Sequence, residues 1–161
     1  MRIWLFFVAL VLPASVAAGP GVFSVPTGVT AAHSDHRVVS SHIRHAVIAE
    51  ARVVFHGVNR VFIVELAQRS GGNRPRIDID RAISGQATLD FEPSPRIEAF
   101  CPGNGRCIGY HLGTVFFSEA AFEQAANAGM AMRLTGPGTA LELSLPPALF
   151  AEARDQALLV N

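Results

Sequence analysis

The sequence has no lysine, one tyrosine and one tryptophan, and few charged residues of either sign. Its 13 basic residues are all arginine, they are scattered along the chain, and 13 acidic residues balance them. A nucleic-acid-binding surface needs clustered basic side chains, and single-stranded binders add aromatic platforms on which bases stack. We therefore expect neither a nucleic-acid partner nor attraction to an anionic membrane surface.

Catalytic and cofactor motifs are also absent from the sequence. There is no Gly-x-Ser-x-Gly turn, which would expose a serine nucleophile between a strand and a helix. No glycine-rich loop lies where it could hold a phosphate at the start of a helix. The sequence therefore favours a non-catalytic protein without a cofactor. An unrecognised hydrolase is a second alternative, and it depends on whether His111 or Glu98 lines a cleft.

The N-terminus has the three parts of a secretory signal peptide. Arg2 precedes an apolar run over residues 3–12, a proline ends that run, and small residues follow as far as Ala18. The run is shorter than the roughly 20 apolar residues that a transmembrane helix needs. We expect residues 1–18 to be removed, which leaves no transmembrane segment. The protein is then exported, and is periplasmic or extracellular.

The remaining sequence predicts a single domain behind a short leader. Residues 19–32 are rich in Gly, Pro, Ser and Thr and have no sustained period, which is typical of a flexible lead-in. Residues 33–161 have the length of one ordinary globular domain.

Alternation of apolar and polar residues predicts strands in most of this domain. His45 to His56 and Arg60 to Gln68 alternate on either side of a short Gly and Asn connection, which indicates a β-hairpin. Residues 130–134 and 141–145 alternate around Gly136-Pro-Gly138 and indicate another hairpin. Shorter alternating runs predict strands at 76–83, 86–91, 96–101 and 107–117.

Two helices are predicted late in the chain. The first runs from Ser118, which is placed to cap it, to Gly129, and the second runs from Pro146 to Leu158. The fold class is therefore mainly β, or α+β. We expect an antiparallel sheet or sandwich of about seven to nine strands, built from successive hairpins, with two helices in the C-terminal third.

The two cysteines, Cys101 and Cys107, flank a turn-forming segment rich in Pro, Gly and Asn. In an oxidising compartment such a pair is expected to form a structural disulfide. The closed loop is short, so the expected stabilisation is only about 2 kcal/mol. The spacing does not fit a redox Cys-x-x-Cys motif or a zinc site.

Four of the six histidines form two His-x-x-His pairs, at His33, His36, His42 and His45. Imidazole is the commonest metal ligand, and residues three apart share one face of a helical turn. A strand would instead place them on opposite faces. These histidines therefore predict a zinc or copper site only if the first pair lies in a loop or a helical turn, and otherwise they are solvent-exposed strand residues.

These observations give an exported small protein that is a non-catalytic binding or structural module, with a protein or another envelope component as its partner. A periplasmic metal-binding protein that uses the four histidines is the first alternative, and the hydrolase is the second.

Overall fold

The computed structural model describes residues 19–26, 28–42, 45–69, 76–95, 97–100 and 107–160, without the side chains of residues 41, 42 and 45. The described residues form 12 strands and two helices. The strands are β1 (Gly21–Ser24), β2 (Val29–His33), β3 (Arg37–His42), β4 (His45–His56), β5 (Asn59–Arg69), β6 (Arg81–Ser84), β7 (Ala87–Thr88), β8 (Asp90–Pro93), β9 (Ala99–Phe100), β10 (Gly109–Phe117), β11 (Met130–Gly136) and β12 (Thr139–Leu145). The helices are α1 (Glu119–Ala128) and α2 (Pro147–Ala157).

The larger sheet, sheet A, is antiparallel and is centred on the two longest strands, β4 and β5. Its order is β1-β2-β4-β5-β10-β8, with β3 also paired to β4 and β9 also paired to β10. Successive side chains of a strand point to opposite faces, so each strand contributes to two surfaces. The inner face of sheet A carries the β4 residues Val47, Ala49, Ala51 and Val53, which belong to the main core. The outer face carries the β4 residues Ile48, Glu50, Arg52 and Val54.

The smaller sheet, sheet B, has the order β12-β11-β6-β7 and is also antiparallel. The chain passes from sheet B to sheet A between β7 and β8. There, the Leu89 N–H donates to the Ala82 carbonyl at 2.9 Å. A backbone hydrogen bond therefore joins β6 of sheet B to the residue that precedes β8 of sheet A.

The main core lies between the inner face of sheet A, sheet B and the two helices. Its centre is aromatic: Phe122 of α1 and Phe150 of α2 are both fully buried, and their ring centroids are 5.2 Å apart. Phe62 and Phe117 of sheet A contact these rings, with centroids at 5.2 Å from Phe122 and 5.8 Å from Phe150 respectively. Tilted and edge-on ring pairs of this kind are favourable contacts that add to the burial of apolar area.

Helix α1 begins and ends where the sequence predicts. The Ser118 hydroxyl accepts the Ala121 N–H at 3.2 Å, which satisfies one of the free donors of the first turn. Gly129 ends the helix with φ 72°, a conformation that favours glycine. A Cβ at this position would lie 2.8 Å from the Leu145 carbonyl oxygen, so the close approach of β12 also requires glycine.

The predicted fold class is confirmed: the protein is mainly antiparallel β, and both helices lie in the C-terminal part. The hairpins β4–β5 and β11–β12 are formed by the predicted segments. The described residues nevertheless form more strands than expected, because β1, β2 and β3 precede the segments predicted as strands and the strand predicted at 86–91 is divided into β7 and β8. No helix in the described part of the chain is long and apolar enough to cross a membrane.

Two segments differ from expectation. Within residues 19–32, predicted as a flexible lead-in, the described residues form β1 and most of β2, and Ala32 is fully buried. Residues 76–80 are not a strand. The Ile77 N–H donates to the Gln68 side chain at 2.8 Å, so a side chain replaces the neighbouring strand as its partner. Ile77 and Ile79 still pack into the main core.

Candidate functional site on the outer face of sheet A

The main group of charged side chains on sheet A lies on its outer face. Residues Glu50 of β4 and Glu65 of β5 are register partners, and His33 of β2 is the partner of Arg52 on β4. Register partners point to the same face, so the four side chains lie side by side on three neighbouring strands. We call His33, Glu50, Arg52 and Glu65 the charge cluster.

Arg52 joins the two carboxylates of the charge cluster. Its Nε and one terminal nitrogen donate to the two oxygens of Glu50 at 3.2 and 3.3 Å, and the same terminal nitrogen lies 2.9 Å from Glu65 Oε2. Burial alone would lower the pKa of the Arg52 guanidinium, but Glu65 and Glu50 outweigh it and raise that pKa above its ordinary value. Arg52 is therefore permanently charged, and it offsets the repulsion between two acids that face each other.

Glu50 is unusually buried for a carboxylate, with 2% of its side chain exposed, against 19% for Glu65 and 20% for Arg52. A buried carboxylate is costly unless it is paired. Besides Arg52, Glu50 has His33, whose Nδ1 lies 3.3 Å from Glu50 Oε1. His33 Nδ1 is also 2.9 Å from the Ser34 carbonyl, which can only accept a hydrogen bond. We therefore assign the ring proton to Nδ1.

The opposite ring nitrogen, His33 Nε2, faces β1. A Cβ at Gly21 would lie 3.2 Å from it, so the glycine leaves the space that the ring occupies. Phe23 of β1 lies beside the same ring, with centroids 5.8 Å apart. The strand expected to be a flexible lead-in therefore covers one side of the charge cluster.

His111 of β10 lies on the same face, as the register partner of Ala67. Burial lowers the pKa of its imidazole below the ordinary value of 6.5; Glu65 and Glu98 oppose this shift, and Arg52 and Arg76 add to it. His111 Nε2 is buried and has no hydrogen-bond partner among the described residues. The ring is neutral at pH 7, but its free nitrogen is closed off from solvent. Glu98 contributes its carbonyl to His111 N–H at 2.8 Å, while its side chain is exposed.

A small second core lies beside His111. It is formed by Ile48, Ala67 and Phe100, with Ile108 packed against it. Phe100 belongs to β9 and is the register partner of Gly109, where an added Cβ would overlap the Gln68 carbonyl. Phe100 packs with Ala67 of β5 and Ile48 of β4. We call Ile48, Ala67, Phe100 and Ile108 the outer core.

Where their side chains are described, the histidines of the predicted metal site contact different partners. His33 is bound to Glu50, whereas His36 Nδ1 lies 3.4 Å from Asp35 Oδ1. Residues His42 and His45 are register partners across β3 and β4, and their side chains lie outside the described residues. Among the residues described, no group of three or more His, Cys, Asp or Glu is arranged to hold a metal ion. The zinc or copper site therefore stays a prediction.

Two further predictions fall outside the described residues. The predicted signal peptide covers residues 1–18, and Cys101, one half of the predicted disulfide, lies in the segment 101–106. Both stay predictions.

The sequence reasoning missed the charge cluster. In the sequence, Glu50, Arg52 and Glu65 are only polar residues on one side of two alternating strands. The missing step was the register of the β4–β5 hairpin, because the turn decides which residues of the two strands are opposite each other. His56 pairs with Asn59, and counting back from this pair sets Glu50 opposite Glu65.

Comparison with known proteins gave no relative. No protein-family model matches the chain, no curated protein matches it, and no solved structure matches its fold.

Proposed function

We propose that this protein is an exported, non-catalytic binding module that docks a protein partner on the outer face of sheet A. The observation that carries the proposal is that the polar side chains there are already bonded to one another or buried. Arg52 bonds both Glu50 and Glu65, and His33 bonds Glu50 directly. The ring nitrogen of His111 that has no partner among the described residues is buried. A general base has to reach a substrate proton, so this arrangement favours a structural role over catalysis.

The surroundings of the charge cluster favour docking. Phe23, Val38 and Val61 are exposed large apolar residues, and pairing to Ala31, Ile48 and Val54 places them on the outer face. Exposed apolar side chains on a sheet face, beside polar ones, are typical of protein interaction surfaces.

The opposite edge of the outer face is acidic. Asp90 and Glu92 of β8 are register partners of Phe116 and Thr114, and Glu98 precedes β9. All three carboxylates are exposed, and none has an ion-pair partner among the described residues. By charge complementarity, the partner presents apolar side chains flanked by basic groups.

The other surfaces support the choice of this face. On sheet B, Arg133 and Glu142 form an exposed cross-strand ion pair at 3.3 Å. On the helices, Arg154 is paired with Glu123 and Asp155. Paired charges of this kind keep a surface solvated.

The experiment compares two charge-removing variants of the full chain, expressed with residues 1–18 and an epitope tag. In one variant, Asp90→Asn, Glu92→Gln and Glu98→Gln remove the acidic edge. In the matched control, Glu119→Gln, Glu142→Gln and Asp155→Asn remove three exposed carboxylates elsewhere. Gentle extraction followed by native electrophoresis separates free protein from complexes.

We expect the wild type and the control to migrate with a larger complex at low salt, and the acidic-edge variant to migrate as free protein. A complex of equal stability in both variants contradicts the proposal. A complex that contains only two copies of this chain contradicts the choice of partner.

A further inference from the structure

Strand β1 is an edge of sheet A, and it pairs only with β2 among the described strands. An edge strand presents backbone N–H and C=O groups to which another chain can bond, and proteins usually protect such an edge with charged residues or proline. At the other end of the sheet, β8 carries Asp90, Glu92 and Pro93. The four residues of β1 include no charge and no proline, and three of them are exposed. Of the described edge strands longer than two residues, β1 alone has no charged residue.

On the outer face, β1 is the end of an apolar row that crosses the sheet. The row consists of register partners on four neighbouring strands: Phe23, Ala31, Val54 and Val61. Its two ends, Phe23 and Val61, are 39% and 42% exposed. A strand added beside β1 places one of its side chains opposite Phe23, on the same face. An apolar residue at that position lengthens the row by one strand.

On the inner-face side, β1 also leaves an apolar side chain in water. Val22 is the register partner of Ala32, which pairs with Val53 of the main core. Val22 is 42% exposed, although Ala32 and Val53 are buried. Apolar area is therefore exposed on both sides of β1, and an extended segment that lies along this edge covers both.

Gly21 gives the same edge a polar position. It is the register partner of His33, whose Nε2 would lie 3.2 Å from a Cβ at the glycine. With the ring proton at Nδ1, Nε2 can only accept a hydrogen bond, and no described residue donates to it. A residue opposite Gly21 on an added strand faces this nitrogen across the glycine. A hydroxyl or amide group there supplies the missing donor.

A second copy of this chain does not fit the edge well. Pairing of β1 with its own copy involves four residues on each side and buries roughly 300 Å² per copy, whereas a stable interface needs about 600 Å² on each partner. The occupant has to gain the remaining area from another surface. The outer face of sheet A offers it, because the apolar row leads from Phe23 directly onto that face.

We propose that the partner docked on the outer face of sheet A adds an extended, uncharged strand to the edge of β1. This strand has an apolar residue opposite Phe23 and, two residues away, a hydrogen-bond donor opposite Gly21. The inference rests on the proposed function and specifies how the partner is held. In strand addition of this kind, main-chain hydrogen bonds give affinity and alternate side chains give specificity.

Photocrosslinking from the inner-face side of β1 tests the strand addition. A photoreactive residue replaces Val22 in one strain, Val61 in a second and Ser144 of sheet B in a third, each in the full chain with residues 1–18. We expect positions 22 and 61 to capture the same partner, because a strand along the edge reaches both sides of the sheet, and position 144 to capture none.

The outcomes separate this inference from the proposed function. A product from position 61 without one from position 22 overturns the strand addition and leaves docking on the outer face intact. The absence of a product from both positions overturns the two together.

Charged variants at the edge give an independent measurement. In Val22→Lys and Val22→Glu, an added strand would bury a charge, so we expect both variants to lose most of the complex seen by native electrophoresis. The matched controls, Ser144→Lys and Ser144→Glu, introduce the same charges on sheet B and are expected to keep the complex. Thermal unfolding verifies that each variant is folded.

The two signs of charge distinguish strand addition from simple attraction or repulsion. Loss of the complex in Val22→Lys alone would come from repulsion by a basic partner and overturns the inference. A complex as stable in both Val22 variants as in the wild type overturns it as well.

Discussion

Arg52 is the residue on which the charged part of the outer face depends. Two carboxylates that face each other across neighbouring strands repel, and Glu50 has almost no contact with water. One guanidinium bonds both acids and so satisfies them together. The charge cluster is therefore a stabilised unit in which the loss of one member affects the others.

Replacement of Arg52 by methionine is expected to destabilise the protein by about 2 to 4 kcal/mol, because it leaves a buried carboxylate opposite another. The measurement is the free energy of unfolding by urea. Adding Glu65→Gln to Arg52→Met removes the repulsion and is expected to recover a large part of the loss. Arg133→Met, in an exposed ion pair, serves as the control and is expected to cost less than about 1 kcal/mol. Equal costs for Arg52→Met and Arg133→Met would show that the cluster contributes nothing special.

His111 gives a prediction for the pH dependence of global stability. Its pKa is lowered in the folded state and ordinary in the unfolded state, so the unfolded chain binds the proton first. The stability that this histidine contributes is complete above pH 6.5 and is lost as the pH falls towards the folded-state pKa. Unfolding free energies measured between about pH 7.5 and pH 5 should therefore decline less in His111→Gln than in the wild type. A steeper decline in the variant would mean that the direction of the shift is wrong.

At the level of elements, long alternating runs were the predictable part of the fold. The β4–β5 hairpin follows from alternation over its whole length and from its turn. β8 extends beyond the predicted run 86–91, and β9 covers only two residues of the predicted run 96–101, because each is a short piece fixed by contacts distant in sequence. β9 is fixed where Phe100 packs with Ala67 and Ile48. These residues are distant in sequence, so the alternation of neighbouring residues does not show the contact. Residues 76–80 alternate like a strand, but the Ile77 N–H bonds the Gln68 side chain, whereas the Asp80 N–H bonds the Thr135 carbonyl of β11.

Helix α2 is held to sheet A by a polar contact as well as by Phe150. The Glu152 carboxylate accepts the Asp35 N–H at 3.1 Å and forms an ion pair with Arg37 of β3. We expect Glu152→Ala to lower the free energy of unfolding by about 1 to 2 kcal/mol, since a backbone donor and a guanidinium lose their partner. Asp155→Ala, one turn further along the same helix and exposed, is the matched control and should cost less than about 0.5 kcal/mol. If the control costs as much, the loss does not come from the contact with β3.

At the level of the whole molecule, the core joins both sheets to both helices, while the proposed binding surface lies on the opposite side of sheet A. This separation explains how the outer face can carry exposed apolar and charged groups without weakening the main core. The charge cluster could not be predicted from the sequence, because its members look like the polar residues of ordinary half-buried strands. Only the register of the strands brings them together.

Export is expected to leave two chemical marks on the protein. N-terminal sequencing of the product should begin at Gly19, because small residues precede that position. Thiol titration of the denatured, unreduced product should find no free thiol at Cys101 or Cys107. Two free thiols would disprove the disulfide, and a product that still begins at Met1 would disprove cleavage.

The central claim is that a protein partner docks on the outer face of sheet A, and site-specific photocrosslinking in exporting cells tests it most directly. A photoreactive residue replaces Val61 on the outer face of sheet A in one strain and Ser144, exposed on sheet B, in another. We predict a crosslinked product of defined mass from position 61 that is lost when Asp90, Glu92 and Glu98 are neutralised, and no such product from position 144. The same product from both positions, or none from position 61, would contradict the account.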